Sequence, residues 1–121
     1  MTPAMTILYV ENAAVSADFY EKLFGIKPTD RAETFSLFHL PTGLVLGLWS
    51  RAGVEPEAQV TGGGCELAIR APGAADVDAT HARWSALGIP VLQPPVEADF
   101  GRTFTVSDPD GHRIRVFNPP A

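Results

Sequence analysis

The chain has 121 residues, is 45% hydrophobic and 19% charged, and contains one cysteine. This size and composition suit a single globular domain with a core, and exclude a disordered chain. A formal net charge of −5 argues against nucleic acid or an anionic membrane as a partner, because both reward a basic surface. No apolar run approaches the ~20 residues that cross a bilayer. Residues Met1 to Met5 show no basic stretch before an apolar one, and Cys65 has no partner for an intrachain disulfide, so a reducing cytoplasm is the expected setting. Eleven Gly and eleven Pro stand in this short chain. They call for either long loops or many short elements joined by tight turns.

Met5 to Val10 is apolar and β-branched enough for a strand. From Ala13 to Phe24 the apolar positions Val15, Phe19, Leu23 and Phe24 recur at helical spacing, with Asn12 as N-cap and Gly25 as terminator. Residues 26–33 read as a short irregular edge strand. Thr34 to Leu40 and Leu44 to Trp49 read as strands joined by Pro41-Thr42-Gly43. Ser50 to Gly64 is polar, aperiodic and rich in Pro and Gly, which predicts a linker.

The same order then returns. Glu66 to Ala71 predicts a strand. Ala75 to Leu87 predicts a helix with Val77, Thr80, Trp84 and Leu87 on one stripe, and Gly88 ends it. Ile89 to Val96 predicts a Pro-rich edge strand. Arg102 to Ser107 and His112 to Phe117 predict a hairpin around Asp108-Pro109-Asp110-Gly111. Both helices end in an apolar-Gly-Ile tripeptide, and both hairpins turn on Pro-x-Gly. The chain is therefore an internal repeat of strand-helix-strand-strand-strand, about 60 residues per copy. The predicted organisation is one domain of two modules, about 5–50 and about 65–118, joined by a linker at about 51–64. The fold class is α+β: two βαβββ modules forming an eight-stranded sheet, with helices on one face and an open concavity on the other.

The repeat, the helix segment Asp18-Phe19-Tyr20-x-x-x-Phe24-Gly25 and the closing Val106-Ser107-Asp108-Pro109-Asp110-Gly111-His112 resemble the vicinal oxygen chelate superfamily, which holds glyoxalases, bleomycin resistance proteins and extradiol dioxygenases. Tyr9-Val10-Glu11-Asn12, Leu48-Trp49-Ser50 and Phe100-Gly101-Arg102-Thr103-Phe104 with Ile114-Arg115-Val116 resemble the phenazine-antibiotic resistance proteins within it. The resemblance implies a cup-shaped fold and a homodimer in which each chain supplies half of each cup.

Metal-dependent members of that superfamily carry His, Gln or Glu at fixed inward positions, since a divalent ion needs several N or O ligands. Carried over one at a time, those positions fall on Met5, Gly47, Glu66 and Arg115. Glycine has no donor and arginine stays protonated, so neither a metal nor any other cofactor is expected. Strand alternation places Val45, Gly47 and Trp49 on the face opposite Leu44, Leu46 and Leu48. It likewise groups Met5, Ile7 and Tyr9; Glu66, Ala68 and Arg70; and Arg113, Arg115 and Phe117. Gly47 is expected to leave room beside Trp49. The inferred lining suits a flat aromatic ligand.

The candidate ligand-binding residues are Trp49, Tyr9, Gly47, Glu66, Arg115 and Phe117, with Phe100 and Arg102 beside them. Glu66 and Arg115 are expected to pair. Structural roles are expected elsewhere: a turn for Asp108 and Asp110, core packing for Trp84, a buried inert thiol for Cys65, and no shared ligand spacing among His39, His81 and His112. The expected function is metal-free sequestration of a planar aromatic molecule such as a phenazine-like antibiotic, with no catalytic residue assigned. The alternative is a metal-dependent enzyme of the glyoxalase or dioxygenase type.

Overall fold

The computed structural model describes residues 1–119. They form two compact units, Met1–Gly62 and a second from Gly63 onward. The first contains β1 (Thr6–Val10), α1 (Ala13–Phe24), β2 (Phe35–His39) and β3 (Val45–Ser50), followed by a 3-10 turn at Arg51–Gly53. The second contains β4 (Glu66–Arg70), α2 (Ala74–Ala86), β5 (Val91–Ala98), β6 (Gly101–Ser107) and β7 (Arg113–Asn118). The sheet orders are β1-β3-β2 and β4-β7-β6-β5. In each unit the first strand pairs in parallel with the last, and the remaining pairs are antiparallel. A parallel pair needs a long crossover, and in both copies the helix lies within it. The duplicated α+β topology read from the sequence is thus present in the backbone.

One predicted strand is missing. The edge strand expected at residues 26–33 is reduced to a single bridge between Asp30 and Leu37, so the described residues hold three strands in one sheet and four in the other rather than eight. Pro28 has no N–H to donate, and the amides of Thr29 and Asp30 both converge on the Leu37 carbonyl. In the second copy the equivalent strand β5 persists, but Pro94 and Pro95 interrupt it and its register shifts twice against β6.

Alternation decides which face each helix covers. Leu8, Val10, Phe38, Leu46 and Leu48 are buried in the first unit, and Phe104, Val106, Ile114 and Val116 in the second. The helices pack on these faces. In α1 the buried residues are Ala13, Ala14, Ser16, Ala17, Tyr20 and Leu23, while Val15 is 55% exposed. The predicted stripe was displaced because small residues, rather than Val15, let α1 lie close to the sheet. Tyr20 and Phe24 stack at 5.4 Å, and Phe24 meets Phe38 edge-on at 5.8 Å. Asn12 caps α1 by accepting from the amides of Ala14 and Val15, worth about 1 kcal/mol. Gly25 closes it with φ of 67°, a conformation that favours glycine.

Two further expectations of burial fail. Leu44 lies before β3 and is 40% exposed, and Leu87 caps α2 with 45% of its surface exposed. Both fall just past the regular element, where alternation and helical periodicity cease to apply. Trp84 does enter the core, with its ring 5.4 Å from Phe104. Asp108 is a turn residue as expected: its Oδ1 accepts from the amides of Asp110 and His112, at 2.8 Å each. No helix among the described residues is long and apolar enough to cross a membrane.

Candidate functional site

The face of each sheet turned away from its helix carries the predicted site residues other than Arg102. In the first unit the register sets Tyr9 opposite Trp49 on β3, and Trp49 opposite Phe35 on β2. Trp49 therefore stands between two rings. Tyr9 meets it edge-on at 6.4 Å and Phe35 at 6.3 Å, with interplanar angles of 77° and 73°. Edge contacts of this kind hold an indole in place while adding to apolar burial. Trp49 remains half-buried, and Ile7 beside it is 40% exposed, so the surface stays apolar and reachable.

Gly47 does not leave the open floor that its lack of a side chain implies. A Cβ there would lie 2.9 Å from the Phe35 ring, 3.0 Å from the Met5 methyl and 3.3 Å from Ile7. These side chains fill the space and pack around the glycine backbone. Phe35 is thus a member of this face that the sequence reading missed. Its signal was available: it shares the alternating face with Leu37, and Leu37 is paired with Gly47, but the β2 register had to be known to use it.

In the second unit Glu66 and Arg115 come together as predicted. The Arg115 Nε donates to Glu66 Oε1 at 2.6 Å and an Nη donates to Oε2 at 3.3 Å. The side chains are 20% and 35% exposed respectively, so solvent screening limits the pair to roughly 1 kcal/mol of stability. Its second Nη donates to the Thr103 hydroxyl, which itself donates to the Val116 carbonyl. The guanidinium lies 5.6 Å from the centre of the Phe100 ring, within cation–π range. Phe100 in turn meets Phe117 edge-on at 6.5 Å. Glu66, Arg115, Phe117 and Phe100 therefore form one connected cluster.

Arg102 does not join it. Alternation turns it to the helix side of β6, where it bonds Asp78 of α2 and Glu97 of β5. Those carboxylates, Asp78 foremost, raise its pKa further above the usual arginine value, so this cation is committed to a structural network. Cys65 also departs from expectation. It precedes β4 and its thiol is exposed rather than buried, beside Glu66 and Arg113 in a shallow polar depression.

The residues at the superfamily's metal positions do not fit a metal. Gly47 offers no donor and its surroundings are hydrocarbon. Arg115 is a cation, and it engages both oxygens of Glu66. Among the described residues no three His, Cys, Asp or Glu side chains gather where they could hold an ion. Any Lewis-acid step through such a site lacks its ligands in this chain.

Comparison with known proteins gives a consistent picture. The model of the Glyoxalase/Bleomycin resistance protein/Dioxygenase superfamily matches residues 2–116. The chain is 35% identical over 119 residues to the phenazine antibiotic resistance protein EhpR of Enterobacter agglomerans, covering 96% of this chain and 91% of that one. A protein of Agrobacterium tumefaciens solved in solution by NMR is 51% identical, with a TM-score of 0.90 and coverage of 100% and 99%. A glyoxalase-related enzyme from Fulvimarina pelagi is 26% identical, with a TM-score of 0.85 and coverage of 99% and 89%.

Proposed function

This chain belongs to the glyoxalase/bleomycin resistance protein/dioxygenase superfamily, and we propose that within it the protein binds and sequesters a planar aromatic molecule of the phenazine type, without a metal. The observation that carries this reading is Trp49, held between Tyr9 and Phe35 on a partly exposed apolar face. A fused aromatic ring stacked there gains area burial plus about 0.5–1.5 kcal/mol from ring–ring contact. The relationship to a phenazine antibiotic resistance protein supports the same ligand class. The misfit of the metal positions supports binding over turnover.

The test is direct. Protein treated with a chelator is expected to bind phenazine-1-carboxamide saturably, and mass spectrometry is expected to recover the compound unchanged. Conversion of the ligand, or binding restored only by an added divalent ion, would contradict the reading.

The same reading takes the working form as a cytoplasmic homodimer. Its support is the sheet edge at β1, which contains neither proline, a bulge nor a charged side chain and carries the exposed Ile7, the pattern of an edge open to a partner strand. Light scattering at micromolar concentration is expected to give twice the chain mass of 12.9 kDa. A monomer mass would overturn the dimer.

A further inference from the structure

Gly47 stands where the backbone does not ask for glycine. It lies inside β3, paired in register with Ile7 on β1 and Leu37 on β2, and its φ is not positive. A glycine inside a strand weakens it and marks a close approach. Here the approach is made by side chains. The Phe35 Cζ lies 2.9 Å from the point a Cβ would occupy, with the Met5 methyl at 3.0 Å and Ile7 at 3.3 Å. The Met5 methyl ends a flexible chain and can swing aside, whereas the Phe35 ring moves only as a whole. The register sets Phe35 opposite Trp49 rather than Gly47. Its ring therefore leans along the diagonal of the strand pair. The far end rests over Gly47, and the ring centre lies 6.3 Å from that of Trp49.

We infer that Phe35 is a positioning residue for Trp49, and that Gly47 is glycine in order to seat it. This rests on the ligand-binding reading above and deepens it, by naming what orients the stacking ring. All the residues concerned belong to the first unit. Trp49 is half-buried on the central strand, with Tyr9 on one flanking strand and Phe35 on the other. Neither ring lies parallel to the indole; they meet it at 77° and 73°. Each limits its rotation without stacking on it. An aromatic side chain already held in one orientation has less freedom to lose when a planar ring stacks on it. Removing the Phe35 ring frees one side of the indole. A methyl group at position 47 displaces the same ring. Both changes therefore reach the ligand through Trp49.

The experiment is a calorimetric titration with phenazine-1-carboxamide, using circular dichroism to show that each variant is folded. Phe35→Leu and Gly47→Ala are each expected to weaken binding about three- to tenfold. Phe35→Tyr keeps the ring and is expected to stay within about twofold of wild type. In a Trp49→Ala background, Phe35→Leu is expected to cost less than about twofold more, because the side chain it orients is gone. Phe35→Leu carries the test whether or not Gly47→Ala folds. Wild-type affinity in folded Phe35→Leu overturns the inference. So does an equal loss in both backgrounds, since Phe35 would then touch the ligand itself. Wild-type affinity in folded Gly47→Ala overturns the seating role of Gly47. A wild-type protein that does not bind the probe overturns the ligand-binding reading, and this inference with it.

Discussion

Replacing Gly101 by alanine is expected to destabilise the protein by about 3 kcal/mol or more, the largest loss expected from any single methyl group in the chain. Gly101 opens β6 at φ of 115°, where an L side chain is strained. The sterics are worse than the torsion. A Cβ at this position would collide with the Asn118 carbonyl oxygen and lie 2.9 Å from the Pro119 Cα, both backbone atoms. Neither can swing aside as a side-chain tip could. Relief would require parting β6 from the end of β7, where Arg102 pairs with Asn118 and Thr103 with Phe117. Urea denaturation measures the loss. Because Phe100 and Phe117 flank this point, the aromatic part of the second unit's face should loosen with it. A variant as stable as wild type would mean that this strand junction is not close-packed.

How much of this was legible in the sequence depended on whether the signal was local. The cap at Asn12, the stop at Gly25 and the turn at Asp108 use chemistry carried by a few adjacent residues, and all three stand where the residues place them. The Glu66–Arg115 pair was legible because the family resemblance sets both residues at vacated metal positions and alternation turns them to one face, here on the parallel pair β4 and β7. The failures needed information from elsewhere in the fold. Gly47 read as empty space, yet the space above a glycine belongs to whichever neighbours reach it, here Phe35, Met5 and Ile7. Arg102 read as a site residue from its neighbours in sequence, but Asp78 on α2 claims it from 24 positions away. Val15 read as part of the buried stripe of α1, yet Ala14 and Ala17 take the close contact with the sheet.

The role of Trp49 is the central claim, and two features make it separable from stability. Its ring is only half-buried, and its recorded ring neighbours Tyr9 and Phe35 sit on flanking strands of the same open face. The core face beneath is built by Leu46 and Leu48, which a change at Trp49 leaves intact. The second tryptophan, Trp84, is buried against Phe104 in the other unit, so its fluorescence reports the fold of that unit after Trp49 is removed, and circular dichroism reports the fold of the whole chain. A stacked ring and its buried area together warrant a loss of one to two orders of magnitude in affinity. Trp49→Phe keeps a smaller ring and is expected to fall between wild type and alanine.

The decisive measurement is a calorimetric titration of phenazine-1-carboxamide into wild type and Trp49→Ala, with circular dichroism and Trp84 emission together confirming that both are folded. The expected result is saturable binding by wild type and a dissociation constant roughly ten- to hundredfold weaker for the variant. Equal affinity in the two folded proteins would contradict the account.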